Sequence, residues 1–213
     1  MSALRVQSFS ISIDGYGAGP DQDLQHPLGH GGEQLHTWAF TTRTFRKMFG
    51  QEGGATGEDD ALAVEGFEGI GSWILGRNMF AHSRGPWRDD GWKGWWGDVP
   101  PYHCDVYVLT HHQRDPLPMA GGTTFYFVTG GIHEALERAR ASAQGKDVRL
   151  GGGVATIREY LTAGLEDRMH LAISPVMLGA GENLFTGIDL PSLGFRVTRQ
   201  VATAHAMHVV LQK

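Results

Sequence analysis

The sequence predicts a three-layer α/β fold with a mostly parallel central sheet, helices on both faces and antiparallel strands at the C-terminal end. In the middle of the chain, short β-branched or apolar runs alternate with segments whose apolar residues recur at helical spacing. Two β-rich runs between residues 195 and 211 predict an antiparallel pair. At residues 147–157 a short strand pattern meets three glycines and then an amphipathic helix pattern.

The N-terminal part of the chain predicts few regular elements and much loop. Residues Val6 to Ile13 alternate with a two-residue period, which is typical of a strand. Residues 35–49 and 59–67 have the apolar spacing or the acidic start of helices. Segments 17–34 and 50–60 are rich in Gly, Asp and Glu, and we expect long mobile loops there.

The remaining elements follow from short apolar runs that end at glycine, threonine or histidine. Helices are predicted where Ile132, Leu136, Ala139 and Ala143, and then Val154, Ile157 and Leu161, recur at helical spacing. The runs that predict strands are 72–75, 106–110, 124–129, 147–150 and 171–177. Strands that alternate with helices in this way favour parallel pairing.

Composition limits the classes of function. The 213 residues can bury one sizeable core, so we expect a single domain over residues 1–213. A formal net charge of −5 argues against a nucleic-acid or anionic-membrane partner. The single cysteine, Cys104, suits a reducing compartment, and neither a signal-peptide pattern nor an apolar run of about 18–20 residues is present. The expected location is therefore cytoplasmic.

The glycine junction after the predicted strand 147–150 is the strongest functional signal. Gly151, Gly152 and Gly153 lack side chains, so a backbone there can approach a phosphate closely. The helix that follows would present free N–H groups and the positive end of its dipole. An alternative is that the glycines only permit tight packing of helix against strand.

Two further segments follow predicted strands at places where open α/β sheets bind ligands. Gly76-Arg77-Asn78-Met79-Phe80 combines a glycine turn with a cation, and the planar fork of Arg77 matches phosphate oxygens. Thr110 and His111 could meet a ribose or its phosphate. Arg77 could instead pair with a surface carboxylate, and Thr110 and His111 could have ordinary strand-end roles. A G-x-G-x-x-G fingerprint near the N-terminus is missing, which disfavours a Rossmann domain.

Other clusters of chemically active residues predict less. The segment 86–101 holds Trp87, Trp92, Trp95 and Trp96, whose burial over the sheet edge is favoured over stacking on a ligand. The 11 histidines do not predict a metal site, because they lack paired cysteines and a helix-borne His-x-x-x-His spacing. Cys104 is expected to be a small packed residue.

Taken together, these segments resemble the dihydrofolate reductase superfamily, and more closely the reductase domain of bacterial riboflavin biosynthesis. The segments that carry this resemblance over nearly the whole chain are Ser12–Gly15, Gly76–Phe80, Val106–His111, Gly151–Gly153, Leu165–Leu171 and Pro175–Gly181. The resemblance implies an NADPH-dependent reductase with a sheet of about eight strands, often assembled as a homodimer. Within these 213 residues we expect no counterpart of the deaminase domain that often accompanies that reductase.

The resemblance also implies roles for particular residues. Asp14 and Gly15 would lie beside nicotinamide and substrate, with Asp14 as the proposed catalytic residue; its alternative is a turn aspartate ahead of glycine. Arg77 would lie near the 2′-phosphate. The full set implied to bind the cofactor is Gly76, Arg77, Asn78, Met79, Thr110, His111, Gly131, Ile132, Gly151, Gly152, Gly153, Val154, Ala155 and Thr156.

Two departures from the family pattern affect the substrate. Met79 stands where a small hydroxyl residue is usual, and residues 35–49 offer no Asp or Glu to assist protonation of dihydrofolate. Folate is therefore disfavoured, and a small pyrimidine- or pterin-like heterocycle is expected. The alternative is a binding protein that keeps the dinucleotide cleft without turnover.

Overall fold

The computed structural model describes residues 2–88 and 91–213. The strands are β1 (Leu4–Ser12), β2 (Tyr16–Ala18), β3 (Ile70–Gly76), β4 (Asp105–Leu109), β5 (Leu117–Pro118), β6 (Thr124–Val128), β7 (Asp147–Leu150), β8 (Arg168–Ser174), β9 (Glu182–Asn183), β10 (Arg196–Ala202) and β11 (Met207–Gln212). The helices are α1 (Thr37–Phe40), α2 (Arg43–Met48), α3 (Glu58–Glu65), α4 (Arg77–Phe80), α5 (Gly131–Ser142) and α6 (Val154–Thr162), with 3₁₀ turns at Gly32–His36 and Ala120–Gly122.

The chain divides into two compact units. The first contains Gly69–Leu165 together with the start of the chain up to Arg5, and the second contains Val6–Glu68 and Glu166–Lys213. Strand β1 begins in the first unit and continues in the second. The single domain expected over residues 1–213 stays a prediction.

The first unit is built on five strands in the order β7-β3-β4-β6-β5. The pairs β7–β3, β3–β4 and β4–β6 are parallel, and only the short β5 runs antiparallel to its neighbour. Helix α5 packs on these strands, where the Ser72 hydroxyl donates to the Ala139 carbonyl at 2.7 Å. The Tyr160 hydroxyl of α6 donates to the Ile132 carbonyl of α5 at 2.8 Å, which ties the two helices together.

The second unit is antiparallel where the tail enters it. Its strands follow the order β10-β11-β8-β1, with β10–β11 and β11–β8 both antiparallel. The antiparallel pair predicted from residues 195–211 is confirmed. Strand β10 forms the edge and is largely exposed, while β2 and β9 make a separate two-stranded sheet. The nine strands of the main sheet order agree with the expectation of about eight.

A chain of hydrogen bonds runs through the core of the second unit between two fully buried histidines. The Ser8 amide donates to Nδ1 of His170 at 3.1 Å, and Nε2 of His170 lies 3.1 Å from Nδ1 of His208. Nε2 of His208 lies 2.8 Å from the Asp59 carboxylate. Because Ser8 supplies a proton at one end and Asp59 accepts one at the other, both imidazoles can be neutral with each ring donating once. The chain fixes α3 against β1, β8 and β11.

Two predicted elements differ from the structure. The helix predicted over 35–49 is divided into a 3₁₀ turn, α1 and α2, because the Thr42 hydroxyl caps α2 by accepting the Phe45 amide at 3.1 Å. The strand predicted over 171–177 lies instead at Arg168–Ser174, since Pro175 has no amide proton to continue the ladder.

The glycine-rich segment 17–34, expected to be a mobile loop, is tied together by backbone hydrogen bonds. The Gly19 amide donates to the Leu28 carbonyl and the His30 amide donates to the Pro20 carbonyl, both at 2.9 Å. A Cβ on Gly29 would overlap the Gly19 backbone, so glycine is required where the two arms of the loop touch. The segment is therefore a closed loop with its own contacts.

Glu166 is the one fully buried acidic residue among those that the structure describes. Its side chain is completely buried at the start of the second unit's C-terminal segment, and neither carboxyl oxygen has a hydrogen-bond partner. Burial raises the pKa of this carboxyl well above its usual range, although the nearby Lys213 charge opposes the shift. Glu166 is therefore neutral in the folded chain over a wide pH range.

We expect Glu166→Gln to change how stability depends on pH. In the unfolded chain Glu166 ionises near pH 4.3, so the wild type loses stability as pH rises above that value, by up to about 1.4 kcal/mol per pH unit for one group. The glutamine variant cannot ionise, so its free energy of unfolding should gain on the wild type between pH 5 and pH 8. Urea unfolding at the two pH values measures this, and a constant difference would contradict a neutral Glu166.

Candidate functional site

The glycine junction lies against the end of β3. The Gly151 amide donates to the Ile74 carbonyl at 2.9 Å, and the Gly76 amide donates to the Gly152 carbonyl at 2.7 Å. Gly152 has a φ of 100°, and the Gly152–Gly153 peptide bond is cis. A Cβ on Gly76 would overlap the Thr156 hydroxyl, so a side chain at that position would require the Thr156 side chain to move.

Packing explains part of this glycine run and leaves its helix end available. A Cβ on Gly151 would stand 2.6 Å from Leu75 Cδ2, which supports the tight-packing alternative at that residue. Helix α6 starts after Gly153, and among the described residues no side chain caps its N-terminus. The first-turn amides, which have no partner inside a helix, therefore remain as possible donors to an anion. Packing and anion binding are compatible here.

Arg77 follows β3, and its guanidinium contacts Trp87 through one face and Thr110 through Nη1. Its Nη1 donates to the Thr110 hydroxyl at 3.0 Å, and its Cζ lies 3.2 Å from the centroid of the Trp87 ring. Nε and Nη2 are buried and have no hydrogen-bond partner. These two nitrogens form one edge of the guanidinium, the edge that binds an oxyanion through two parallel hydrogen bonds.

Among the described residues, Arg77 is a cation without a counter-ion. Within residues 2–88 and 91–213 no carboxylate oxygen lies within 4 Å of its guanidinium, so the surface salt bridge considered above is not formed there. Partial burial and the neighbouring charge of Arg114 both lower the pKa of Arg77. An anionic ligand would offset both effects, because a nearby negative charge favours the charged form of the guanidinium.

The other predicted cofactor residues divide between contact with Arg77 and separate positions. Thr110, buried at the end of β4, accepts the Arg77 hydrogen bond, whereas His111 is exposed. The Asn78 carbonyl accepts a hydrogen bond from Trp95 Nε1 at 3.0 Å, and Met79 is half-buried. Arg77 and Thr110 therefore lie in contact just after the neighbouring strands β3 and β4.

Gly131, Ile132 and Ala155 lie at the starts of α5 and α6. Gly131 has a φ of 83°, which favours glycine, and no heavy atom stands within 4 Å of the place a Cβ would take. Ile132 and Ala155 line an open groove of about 570 Å³. The other residues that line the groove are Arg158, Glu159, Thr162 and Ala163. The groove is wide open to solvent.

Asp14 and Gly15 lie in the second unit, in a turn after β1. The Asp14 carboxylate accepts hydrogen bonds from the Ser12 hydroxyl at 2.5 Å and from the amides of Leu178 and Gly179 at 3.2 and 2.8 Å. These bonds, the one from Ser12 foremost, lower the pKa of Asp14. The geometry therefore favours the turn alternative, and a role of Asp14 and Gly15 at the reacting end stays a prediction.

Two residues near Arg77, Trp87 and Arg114, do not follow from the sequence pattern. The sequence predicts that Trp87 covers the sheet edge, and it predicts no role for Arg114. Arg114 lies over the rings of Trp87, Phe80 and Phe127 with Cζ-to-centroid distances of 5.0–5.6 Å. A signal was present, because Arg114 comes four residues after Thr110 on the loop that leaves β4, but only tertiary packing makes the contact.

Metal and thiol chemistry receive no support from the described residues. Within that part of the chain no group of three or more His, Cys, Asp or Glu side chains is arranged to hold a metal ion. Burial raises the pKa of the Cys104 thiol to about 11, so the reactive thiolate is scarce at neutral pH. Likewise, no helix in ranges 2–88 and 91–213 is long and apolar enough to cross a membrane.

The fold and the arrangement of strand ends define a dihydrofolate reductase-like α/β protein, as the resemblance implied. Residues 6–209 match the RibD C-terminal domain family, and the chain belongs to this family. A segment of 62 residues, 29% of the chain, is 36% identical to the uncharacterised protein YyaP of Bacillus subtilis (strain 168) and spans 32% of that protein.

Solved structures share the fold at low sequence identity. A candidate riboflavin biosynthesis protein of Shewanella sp. PV-4 aligns with a TM-score of 0.59 and 18% identity over 100% of this chain and 98% of its own. A diaminohydroxyphosphoribosylaminopyrimidine deaminase/5-amino-6-(5-phosphoribosylamino)uracil reductase of Thermotoga maritima gives 0.53 and 14% over 100% and 56%. A dihydrofolate reductase of Enterococcus faecalis, complexed with NADP(H), gives 0.50 and 14% over 99% and 95%.

We expect Gly76→Ala to destabilise the first unit. The added methyl would overlap the Thr156 hydroxyl, and forcing an extra methyl into a packed site costs about 1–3 kcal/mol. Urea unfolding measures the loss. The matched control is the double variant Gly76→Ala/Thr156→Ala, which removes the hydroxyl and should recover much of it. Full stability of Gly76→Ala alone would contradict the close approach.

Proposed function

We propose that the chain is an NADPH-dependent reductase that transfers hydride to a small heterocyclic, carbonyl or imine substrate. The observation that carries the proposal is the guanidinium of Arg77, whose Nε and Nη2 have no hydrogen-bond partner. Arg77 and Thr110, which accepts a hydrogen bond from Nη1, lie at the ends of adjacent parallel strands. Ligands of open α/β sheets bind at the carboxyl ends of such strands. Membership of the RibD C-terminal domain family and the reductases of the same fold support the enzyme class.

In this proposal, groups of the first unit hold the phosphates and the adenosine of a dinucleotide. Arg77 would hold the 2′-phosphate through its free edge, with Gly76, Asn78, Met79, Thr110 and His111 around that end. The first turn of α6, with the glycines Gly151–Gly153 before it and Val154–Thr156 within it, would hold the pyrophosphate. The groove lined by Ile132 and Ala155 would take the adenosine, next to Gly131.

In the proposed reaction, the protein needs to supply few reacting groups of its own. When bound, NADPH supplies the hydride, and the protein orients the nicotinamide and excludes water. Asp14 is a poor proton donor because its hydrogen bonds stabilise the carboxylate and lower its pKa. We infer that Asp14 fixes the turn and the loop around Gly179, so that a proton would come from water or from the substrate itself.

The substrate class follows from what residues 35–49 lack. Without Asp or Glu in that segment, protonation of dihydrofolate has no carboxylate there, so a substrate like 5-amino-6-(5-phosphoribosylamino)uracil or a pterin is favoured. The same observation favours the second candidate function, a binding protein that holds the dinucleotide without turnover. Assembly as a homodimer and a cytoplasmic location stay predictions.

Arg77→Ala tests the assignment of the 2′-phosphate. Loss of a charge-assisted bidentate contact costs about 1.5–3 kcal/mol, so NADPH affinity should fall about 10- to 100-fold while NADH affinity changes little. Tryptophan fluorescence during titration measures both dissociation constants. Arg84→Ala, an exposed arginine of the following loop, is the matched control. Equal losses for NADPH and NADH would refute the assignment.

Turnover distinguishes the two candidate functions. The reductase should oxidise NADPH, seen as loss of absorbance at about 340 nm, with at least one member of a panel of pteridines and aminouracils. Saturable NADPH binding without consumption across the panel would favour the binding protein. An unmodified chain that binds neither NADPH nor NADH would overturn both.

A further inference from the structure

The 3₁₀ turn that ends at His36 is held against the carboxyl end of β8 in the second unit. The Ser174 hydroxyl at that strand end donates to the Leu35 carbonyl at 2.6 Å. Just before the turn, a Cβ on Gly31 would stand 3.1 Å from Leu178 Cδ2, so this part of the chain also lies against the loop that follows β8. His36 therefore lies close to the carboxyl end of a strand, where α/β sheets bind ligands.

The loop that follows β8 also connects the 3₁₀ turn of His36 with Asp14. The Leu178 amide donates to Asp14 Oδ1 at 3.2 Å, so the turn after β1 and the 3₁₀ turn contact the same loop. Two large apolar side chains next to these residues in the chain are exposed, Ile13 by 62% and Met177 by 67%. Apolar side chains around a few polar groups are typical of a small-molecule site.

The imidazole of His36 has hydrogen-bonding groups that the fold does not use. Its ring is half-buried and stacks on Phe40, with 5.9 Å between the ring centroids and 24° between the planes. Within residues 2–88 and 91–213 neither ring nitrogen has a hydrogen-bond partner, and neither is sealed in the interior. The buried His170 and His208 of the same unit differ, because they bond to each other. His36 therefore has a donor and an acceptor that a ligand can reach.

Burial keeps the His36 ring neutral. It lowers the pKa of His36 to about 4, and among the described residues no neighbouring charge contributes to the shift. The titratable side chains on the turn and on β2 and β8, the strands that contact it, are Glu33, Tyr16, Arg168 and His170. Above about pH 5 the ring is imidazole with one N–H to donate. A neutral imidazole polarises a carbonyl group by hydrogen bonding to its oxygen.

We propose that His36 is the hydrogen-bond donor to the C=O or C=N group of the substrate that accepts the hydride. When hydride adds to the carbon of that group, the π electron pair moves to its oxygen or nitrogen, and NADPH is oxidised to NADP⁺. The His36 N–H stabilises the negative charge that develops on this atom, and a proton from water completes the reduction. This inference rests on the proposed function, because it names the polarising group of the same reaction.

Binding measurements test the contact without turnover. Isothermal titration calorimetry of the full chain in saturating NADP⁺ uses two probes, 6-aminouracil and pterin, which carry C=O and C=N groups. His36→Leu removes the donor, and affinity for the tighter-binding probe should fall about 3- to 10-fold. His36→Asp should weaken binding further, because a carboxylate repels the lone pairs of the probe. His36→Gln keeps an N–H donor and should retain most of the affinity.

The matched control is His205→Leu, which makes the same change at an exposed histidine of the second unit. It should leave the affinity for both probes unaltered. Affinity for NADPH should stay the same in every His36 variant, since the proposed phosphate contacts lie in the first unit. A variant that loses affinity for NADPH and for the probes by the same factor would indicate a structural role for His36 and would overturn the inference.

A pH profile separates donation by a neutral imidazole from acid catalysis by an imidazolium. With a pteridine or aminouracil that is turned over, kcat/KM should stay constant from about pH 5.5 to about pH 8, because His36 is neutral throughout. An imidazolium acid with an ordinary pKa near 6.5 would lose activity about tenfold per pH unit above that value, and such a loss would contradict the proposal. His36→Leu should lower kcat about 100-fold at every pH, and His36→Gln should recover part of it.

The outcomes distinguish this inference from the proposed function. If the unmodified chain consumes NADPH, and His36→Leu keeps both kcat and probe affinity, the inference is overturned while the reductase proposal stands. If the unmodified chain binds neither dinucleotide, the proposed function fails first. Should His36→Leu not fold, as judged by circular dichroism, His36→Gln and His36→Asp decide: equal probe affinities in these two variants overturn the inference.

Discussion

The close approach of two backbones at the end of β3 is the constraint on which the candidate site depends. The Gly76 amide bonds the Gly152 carbonyl, and the Thr156 hydroxyl takes the space of the missing side chain. This contact places the start of α6 directly beside the residue that precedes Arg77. Because β4 pairs in parallel with β3, Thr110 arrives at the same edge. Glycine packing places the start of α6 beside β3, and parallel strand pairing places Thr110 beside Arg77.

Arg77 in the first unit and Asp14 in the second unit differ in how fully their charged groups are hydrogen-bonded. Arg77 has an edge of its guanidinium without an acceptor, and burial together with Arg114 lowers its pKa. Asp14 is the opposite case, since a hydroxyl and two amides already bond its carboxylate and lower its pKa. A cation with buried donors that lack an acceptor gains hydrogen bonds when an anionic ligand binds. A turn carboxylate that already accepts hydrogen bonds from the protein gains little from a ligand. This contrast favours the first unit as the cofactor site.

The sequence predicts what depends on local patterns. Strand β7 and the start of α6 were expected at their observed residues, because apolar periodicity and glycines mark both. The helix expected over 35–49 was wrong where the Thr42 cap divides it, since capping competes with periodicity. The placement of Arg114 over Trp87 joins residues 27 positions apart, and only the folded chain reveals it. The family resemblance implies cofactor roles for Arg77 and Thr110, and these roles stay predictions, whereas the packing of Trp87 on Arg77 is not predictable from spacing.

The most direct test of the account is an NMR titration of isotopically labelled protein with NADPH and then with NADH. Both should shift the backbone amides of Gly153, Val154 and Ala155, because either pyrophosphate would bind the first turn of α6. Only NADPH should shift the Nε–H signal of Arg77, since only NADPH carries a 2′-phosphate. Saturating NADPH that leaves the α6 amides and the Arg77 signal unmoved would contradict a dinucleotide site at the end of β3.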